Sequence, residues 1–494
     1  MIDRAGPFDW LDRHLGGAVE RAAVAHHRRR LAKLGWAHAL DPPRDDLTAR
    51  PRLWCANEPP PRTGNSLELL IDGADALPRI ARELAGARDH VHVAGWHVES
   101  SFRLERQQPD SPSMREILAM LAERLPVRVL AWAGAPVPAF KPTRKQVRKG
   151  RTQLIEGTQI RCTLDSHERP MHCHHEKLVV IDDRVAFVGG IDLTSLGGDR
   201  FDSSEHVYRS ALGWHDALAC IQGPAVRDVA EHFRARWQEV AGESLAPAAA
   251  SEPAGDVELQ ILRTLPERVY KFAPRGEFRI LEAYIRALRS AERLVYVENQ
   301  FLWSPELVAI LAAKLRDPPT PEFRVLVVLP AKANNGADDT RGQVGVLAEA
   351  DAGRGRFLAC ALHARSADGR RSEPIYVHAK IAIVDDRWLT IGSANLNSHS
   401  LYNDGEVNII TQDRDLPREL RARLWAEHLE ADREEILGAD PAQLIDQRGL
   451  PIARRHRDRS ERGLPLEHRL VELPNVSKRS MRLLGPLQGL LVDG

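Results

Sequence analysis

The chain has no excess of either charge: 69 lysines and arginines stand against 69 aspartates and glutamates. A neutral total excludes a global field that would draw the protein onto nucleic acid or an anionic membrane, so any such attraction must be local. Cysteine is scarce. Cys55, Cys162, Cys173, Cys220 and Cys360 are scattered, odd in number and form no CxxC pair, which argues against a disulfide framework and against a zinc site. Long apolar runs are missing too. Nowhere do 18 apolar residues follow one another, and the first 25 residues hold acids but no run of signal-peptide length. The expectation is a soluble or peripherally bound cytoplasmic protein, and frequent Ala, Arg and Pro point to a GC-rich bacterial genome.

What is there is an ordinary globular mixture, 43% apolar and 28% charged, over 494 residues. That length allows two or three domains, each with its own core. One motif occurs twice, as HEKLVVIDDRVAFVGGIDL from 175 and HAKIAIVDDRWLTIGSANL from 378. His, Lys, Asp, Gly and a closing Asp or Asn keep the same spacing in both copies, at a constant offset of 203, and 7 of 19 positions coincide. A lone HxK would mean nothing, whereas two matched copies indicate a duplicated half-site. ARDHVHVAGW from 87 and AERLVYVENQ from 291 align at an offset of 204, so the duplication covers domains and not only motifs.

Apolar periodicity predicts strand, helix, strand from 66, with Leu77, Ile80, Ala81 and Leu84 on one helix face; Phe278, Leu281, Ile285 and Leu288 repeat that stripe. VRVLAW and FRVLVVL follow as further strands, and each motif reads as a hairpin around the turn DDR. The expected fold is α/β, with a mixed sheet in each half. The division is an N-terminal helical extension and Pro-rich loop (1–63), a first domain (64–250), a second (251–440) and a tail (441–494), with the small, Pro-rich stretch 244–256 as the seam. Residues 8–34 read as an amphipathic helix packed on the body or, alternatively, touching a membrane surface. RRHRDRSER at 454–462 reads as a solvated charge run, and MRLLGPLQGLLVDG as an apolar segment that docks on a domain or enters a lipid interface.

Side chains alternate along a strand, so His175 and Lys177 share a face, as do His378 and Lys380. Cores have no use for a repeated buried ammonium. Two imidazoles and two ammoniums suit a phosphodiester. The lysines neutralise the non-bridging oxygens, one neutral imidazole attacks phosphorus, and the other, protonated, serves the leaving alkoxide. Such a site needs no metal and no cofactor, and the run His172, Cys173, His174, His175 lacks a partner cluster. Asp182 and Asp385 complete the motifs, but as turn residues beside Asp183 and Asp386 they are expected to hold the hairpins. Gly190 and Ser393 are expected to bring backbone N–H groups to the anion. Asn395 is the expected direct phosphate ligand, and Asp192 a weaker one because its carboxylate would repel an anion. Asp216 and Glu406, on matching downstream strands, are expected to orient the histidines.

With both HxKxxxxD motifs intact, YVENQF at 296–301 and GWHD at 213–216, the chain resembles the phospholipase D superfamily over roughly 64–435. The resemblance implies two tandem α/β/α sandwich domains related by a pseudo-twofold axis, with the active site between them. It implies His175 as nucleophile, His378 as general acid, and Lys177, Lys380 and Asn395 on the phosphate; the residues themselves leave open which histidine attacks. Asp192 departs from the simpler Asn, and the paired hydrophobic N-terminal spans common in bacterial cardiolipin synthases are missing, which weakens a membrane-integral synthase reading. The expectation is a metal-independent phospholipase D-type phosphodiesterase or transphosphatidylase, acting through a phosphohistidine on phospholipid with water or an alcohol as acceptor. A monomer with peripheral membrane contact and no obligate nucleic acid is expected, because both half-sites share one chain. The competing reading is a nuclease or other phosphodiesterase, or a cardiolipin synthase-like phosphatidyltransferase. The basic stretch 140–153, with Lys141, Arg144, Lys145, Arg148, Lys149 and Arg151, could track a nucleic-acid backbone, bind anionic headgroups or be a mobile solvated loop.

Overall fold

The computed structural model describes residues 7–42, 53–56, 58–106, 110–136, 140–209, 213–331 and 337–473. MRLLGPLQGLLVDG and part of the Pro-rich loop lie outside the described residues.

After helix α1 (Pro7–Leu34), the first half runs β1 (Arg62–Ile71), α2 (Asp72–Ala85), β2 (Val91–Gly95), α3 (Met114–Ala122), β3 (Val127–Trp132), α4 (Arg144–Ile155) and β4 (Arg161–Asp165). The hairpin β5 (Leu178–Ile181) and β6 (Val185–Gly189) follows, then β7 (Trp214–His215), β8 (Ala217–Gln222) and α5 (Val226–Ala241). The second half repeats the order: β9 (Val257–Leu265), α6 (Arg279–Ser290), β10 (Leu294–Glu298), α7 (Pro305–Arg316), β11 (Arg324–Val328), α8 (Ala337–Asp351) and β12 (Phe357–Arg365). It continues with β13 (Tyr376–Val377), the hairpin β14 (Ile381–Val384) and β15 (Trp388–Gly392), β16 (Glu406–Thr411) and α9 (Leu416–His428).

The first sheet has the order β4-β3-β2-β5-β6-β8-β1, parallel among β2, β3 and β4 and antiparallel elsewhere. The second has the same order and directions, β12-β11-β10-β14-β15-β16-β9. Edge strands β1 and β9 pair antiparallel and join the two sheets. The fold is mixed α/β, and the sequence repeat is a repeat of topology.

Strand alternation distributes the core. On β5, Leu178 and Val180 face a core shared by both halves, whereas Val179 and Ile181 face the outer core beneath α2. On β14, Ile381 and Ile383 face the same shared core, and Ala382 and Val384 face the outer core beneath α6. Strands covered on both sides are apolar throughout, as these are. Phe233 and Trp237 of α5 and Trp425 of α9 fill the space between the sheets. Each such side chain contributes about 1.5–3 kcal/mol on burial, so the interface between halves is a core, not a loose contact.

Three sequence expectations change. The tail is not separate. Helix α10 (Leu450–Glu461) puts Leu450 and Ala453 into the shared core, and β17 (Leu470–Glu472) pairs with β12, covering what would otherwise be an exposed sheet edge. The charge run 454–462 lies largely on that helix, and its arginines pair with Glu467 and Glu472. The basic stretch is no mobile loop: Thr143 and Gln146 form a capping box that starts α4. Helix α1 docks on the second half, where Arg30 donates to Glu267 (2.6 Å) and His27 meets Glu306 (2.7 Å). Among the described residues no helix is long and apolar enough to cross a membrane.

Candidate active site

The two hairpins bring His175 and His378 together at the junction of the halves, with ring centroids 6.5 Å apart. Each histidine is fixed from the opposite half. The stretch before His378 pairs in parallel with the stretch before Asp216 (Val377 with His215), and the stretch before His175 with that before Glu406 (His174 with Gly405). The His378 N–H donates to the His215 carbonyl (2.7 Å) and the His175 N–H to the Gly405 carbonyl (2.9 Å).

These bridges set the carboxylates. Asp216 Oδ2 lies 2.7 Å from His378 Nδ1, and Glu406 Oε1 lies 3.1 Å from His175 Nδ1. His175 Nδ1 is also 3.1 Å from the Ser393 carbonyl, which can only accept, so Nδ1 carries a proton and, in the neutral ring, Nε2 keeps its lone pair. Both histidines line a pocket of about 210 Å³ with Lys177, Asp192, Arg200 and Gln300. Lys177 donates to the His175 carbonyl (2.6 Å) and Lys380 to the His378 carbonyl.

The field is uneven. Burial holds His378 well below the usual histidine range, helped by Lys380, Arg200 and Lys177. Burial raises Asp216 above the ordinary carboxylate range against the pull of Lys380. Burial, with the charge of Asp404, pushes Glu406 up to about 8 despite Lys177.

The other motif residues fall into different environments, some as expected and some not. Asp182 accepts from the backbone N–H groups of Arg88, Asp89 and His90, and Asp385 from those of Glu292, Arg293 and Leu294. Both sit at the turn ends of their hairpins with left-handed φ (57° and 52°), and they tie the turns to the loops that enter β2 and β10. Their contacts are with the scaffold, and neither lines the pocket that holds His175 and His378. Gly190 and Ser393 do not offer N–H groups to an anion, because those groups donate to the Ala217 and Val407 carbonyls (2.9 and 3.0 Å). Their side chains matter instead. A Cβ at Gly190 would lie 2.0 Å from Asp216 Oδ1, so glycine makes room for that carboxylate; the Ser393 hydroxyl donates to Glu406. Asn395 is wholly buried and its amide donates to Gln300 (3.3 Å), and it is Gln300 that lines the pocket. Asp192 lines it too, but its Oδ2 accepts from the His97 N–H (3.1 Å).

Sequence reasoning missed Arg200, Trp214 and Gln300. Arg200 stacks on Trp214, 3.3 Å from the ring centroid, and burial lowers it to about 10. Among the described residues its Nε has no partner, while its other nitrogens donate to the Gly198 and Leu196 carbonyls. It lies where the offset between the halves falls from 203 at the motifs to 190 between Asp216 and Glu406. That one-sided insertion was the signal that could have found it.

Residues 284–427 match the family model described as "Cardiolipin synthase, PLD-like domain". The chain is 25% identical to phospholipase D A of Dictyostelium discoideum, over 75% of this chain and 36% of that protein. It is 24% identical to phospholipase D1 of Schizosaccharomyces pombe, with the same shares. It is 22% identical to the major cardiolipin synthase ClsA of Bacillus subtilis, over 72% of this chain and 67% of that one. The chain thus spans about a third of the length of the first two relatives. The crystal structure of phosphatidylserine synthase from Haemophilus influenzae shares the fold, with a TM-score of 0.50 at 14% identity, over 75% of this chain and 91% of that one.

Proposed function

Because the chain belongs to the phospholipase D superfamily, we propose that it cleaves or exchanges the headgroup ester of phospholipids through a phosphohistidine. The observation that carries this reading is the pair of imidazoles 6.5 Å apart, each held through Nδ1 by a carboxylate of the other half. That arrangement leaves two Nε2 atoms facing one pocket beside an ammonium, as in-line displacement at phosphorus requires.

His175 Nε2 attacks phosphorus. The N–P bond forms as the P–O bond to the headgroup breaks, and the departing alkoxide takes a proton from His378. Water or an alcohol then gives its proton to His378 while its oxygen attacks phosphorus and releases His175. Lys177 and Lys380 balance the charge on the non-bridging oxygens. In the unbound site burial, together with the surrounding cations, keeps His378 neutral, and the anionic diester supplies the charge that allows it to be protonated. Lys141 at the pocket mouth and the exposed Lys145, Arg148 and Lys149 of α4 suit an anionic lipid surface.

The test is incubation of wild type and His175→Ala with mixed phospholipid vesicles and ethanol. Phosphatidic acid and phosphatidylethanol are expected from wild type alone. Cleavage of a single-stranded oligonucleotide with no turnover of vesicles would replace the lipid reading with the nuclease one.

A further inference from the structure

Outside the catalytic pocket, His172 from the first half meets His399 and Asp404 from the second. His172 Nδ1 lies 2.9 Å from His399 Nδ1 and 3.3 Å from Asp404 Oδ1, and all three groups keep a donor atom within 4.8 Å of the others. Two Nδ1 atoms facing each other can share one proton at most, whereas a cation would take both lone pairs. Asp404 is wholly buried, and among the described residues its Oδ2 has no partner. Donor atoms on one tetrahedral zinc, each about 2.0–2.2 Å from the ion, stand roughly 3.3 Å apart, close to the 2.9 and 3.3 Å that separate His172 Nδ1 from its two neighbours.

We propose that His172, His399 and Asp404 bind a divalent cation of the zinc class, which staples the two halves together beside His175. Two imidazoles and one carboxylate are a borderline-soft donor set that favours zinc over calcium or magnesium. The set is oriented from behind: the Cys173 N–H donates to Asp404 Oδ1 (3.0 Å), and Trp303 presents an edge to the His399 ring at 5.4 Å. The His172 side chain is 14% exposed, which admits the ion and leaves a position for water. The site adjoins the His174–Gly405 bridge that sets His175 against Glu406, so an ion here would hold that bridge closed. Sequence reading set the histidine run aside for want of a partner cluster; the second half supplies it. The deeper cluster of Asp72, His206, His215 and Glu427 is a weaker candidate, because its histidines are already paired with carboxylates in a closed interior.

Full-length protein stripped with chelator and titrated with zinc should take up one equivalent, and His175→Ala should keep it. His172→Gln, at a partly open position, should fold with an unchanged metal-free melting temperature yet bind that equivalent at least tenfold more weakly. Zinc at a hundredfold excess over the wild-type Kd should raise the wild-type melting temperature by about 2–4 °C and that of His172→Gln by about half as much or less. An equivalent retained by His172→Gln, or no uptake below millimolar zinc, overturns the proposal. If the variant does not fold, cobalt(II) bound to wild type decides: intense visible bands of a four-coordinate ion support the site, and a weak six-coordinate spectrum overturns it. None of these readings depends on lipid turnover.

Discussion

His175 and His378 carry the same atoms in unequal fields. One sits beside a carboxyl raised to about 8, the other among cations. When Glu406 ionises it places a negative charge on the Nδ1 side of His175 and makes Nε2 a better nucleophile. Activity (kcat/KM) should therefore rise through about pH 8 in wild type and stay flat there in Glu406→Gln; an identical inflection in both would remove Glu406 from the mechanism. His175→Ala and His378→Ala should each lower turnover by about 10²–10⁴-fold or more, as loss of a nucleophile or a general acid does. Gly190→Ala tests the carboxylate independently. Its Cβ would displace Asp216, so turnover should fall while circular dichroism stays native. Normal activity in that variant would mean that Asp216 does not need its position.

The hairpins were the most legible elements in the sequence. Their near-continuous apolar runs, buried on both faces, and the DDR turns announced them, and β5, β6, β14 and β15 appear where the pattern put them. The roles of Asp182 and Asp385 follow from those turns. Removing either carboxylate leaves three backbone N–H groups without their acceptor. Asp182→Ala or Asp385→Ala should cost about 1–3 kcal/mol in urea unfolding, with activity per folded molecule retained; a large loss of turnover at full stability would return them to the chemistry. The tail and α4 were less legible. Their arginines dominate the composition, and the few apolar residues that dock them, Leu450 and Ala453 in one case and Val147 and Leu154 in the other, are too sparse to show a period.

Across the whole molecule, a buried ionic network links the halves behind the site. His215 lies between Asp72 (3.1 Å) and Glu298 (2.8 Å), and Glu298 also holds His428 (2.6 Å). Although burial works the other way, carboxylates raise His215 and His428 and hold His206 up at about 9. A histidine whose pKa is raised on folding stabilises fully below its unfolded value, about 6.5, and loses that contribution as pH rises through the folded value. The melting temperature should therefore fall between pH 7 and 10; a curve that is flat or rising over that window would show the network to be neutral.

By itself the sequence determined the duplication, the α/β alternation and the two His–Lys pairs, because local spacing along a strand fixes which side chains share a face. Only the tertiary structure decided which half serves which histidine. The carboxylates cross over, Asp216 to His378 and Glu406 to His175, because parallel bridges form between the halves and not within them. Arg200, Gln300 and the His172–His399–Asp404 cluster became visible for the same reason. Their partners lie far away in the chain, and the shared apolar core that brings them together leaves no periodic trace of the contact.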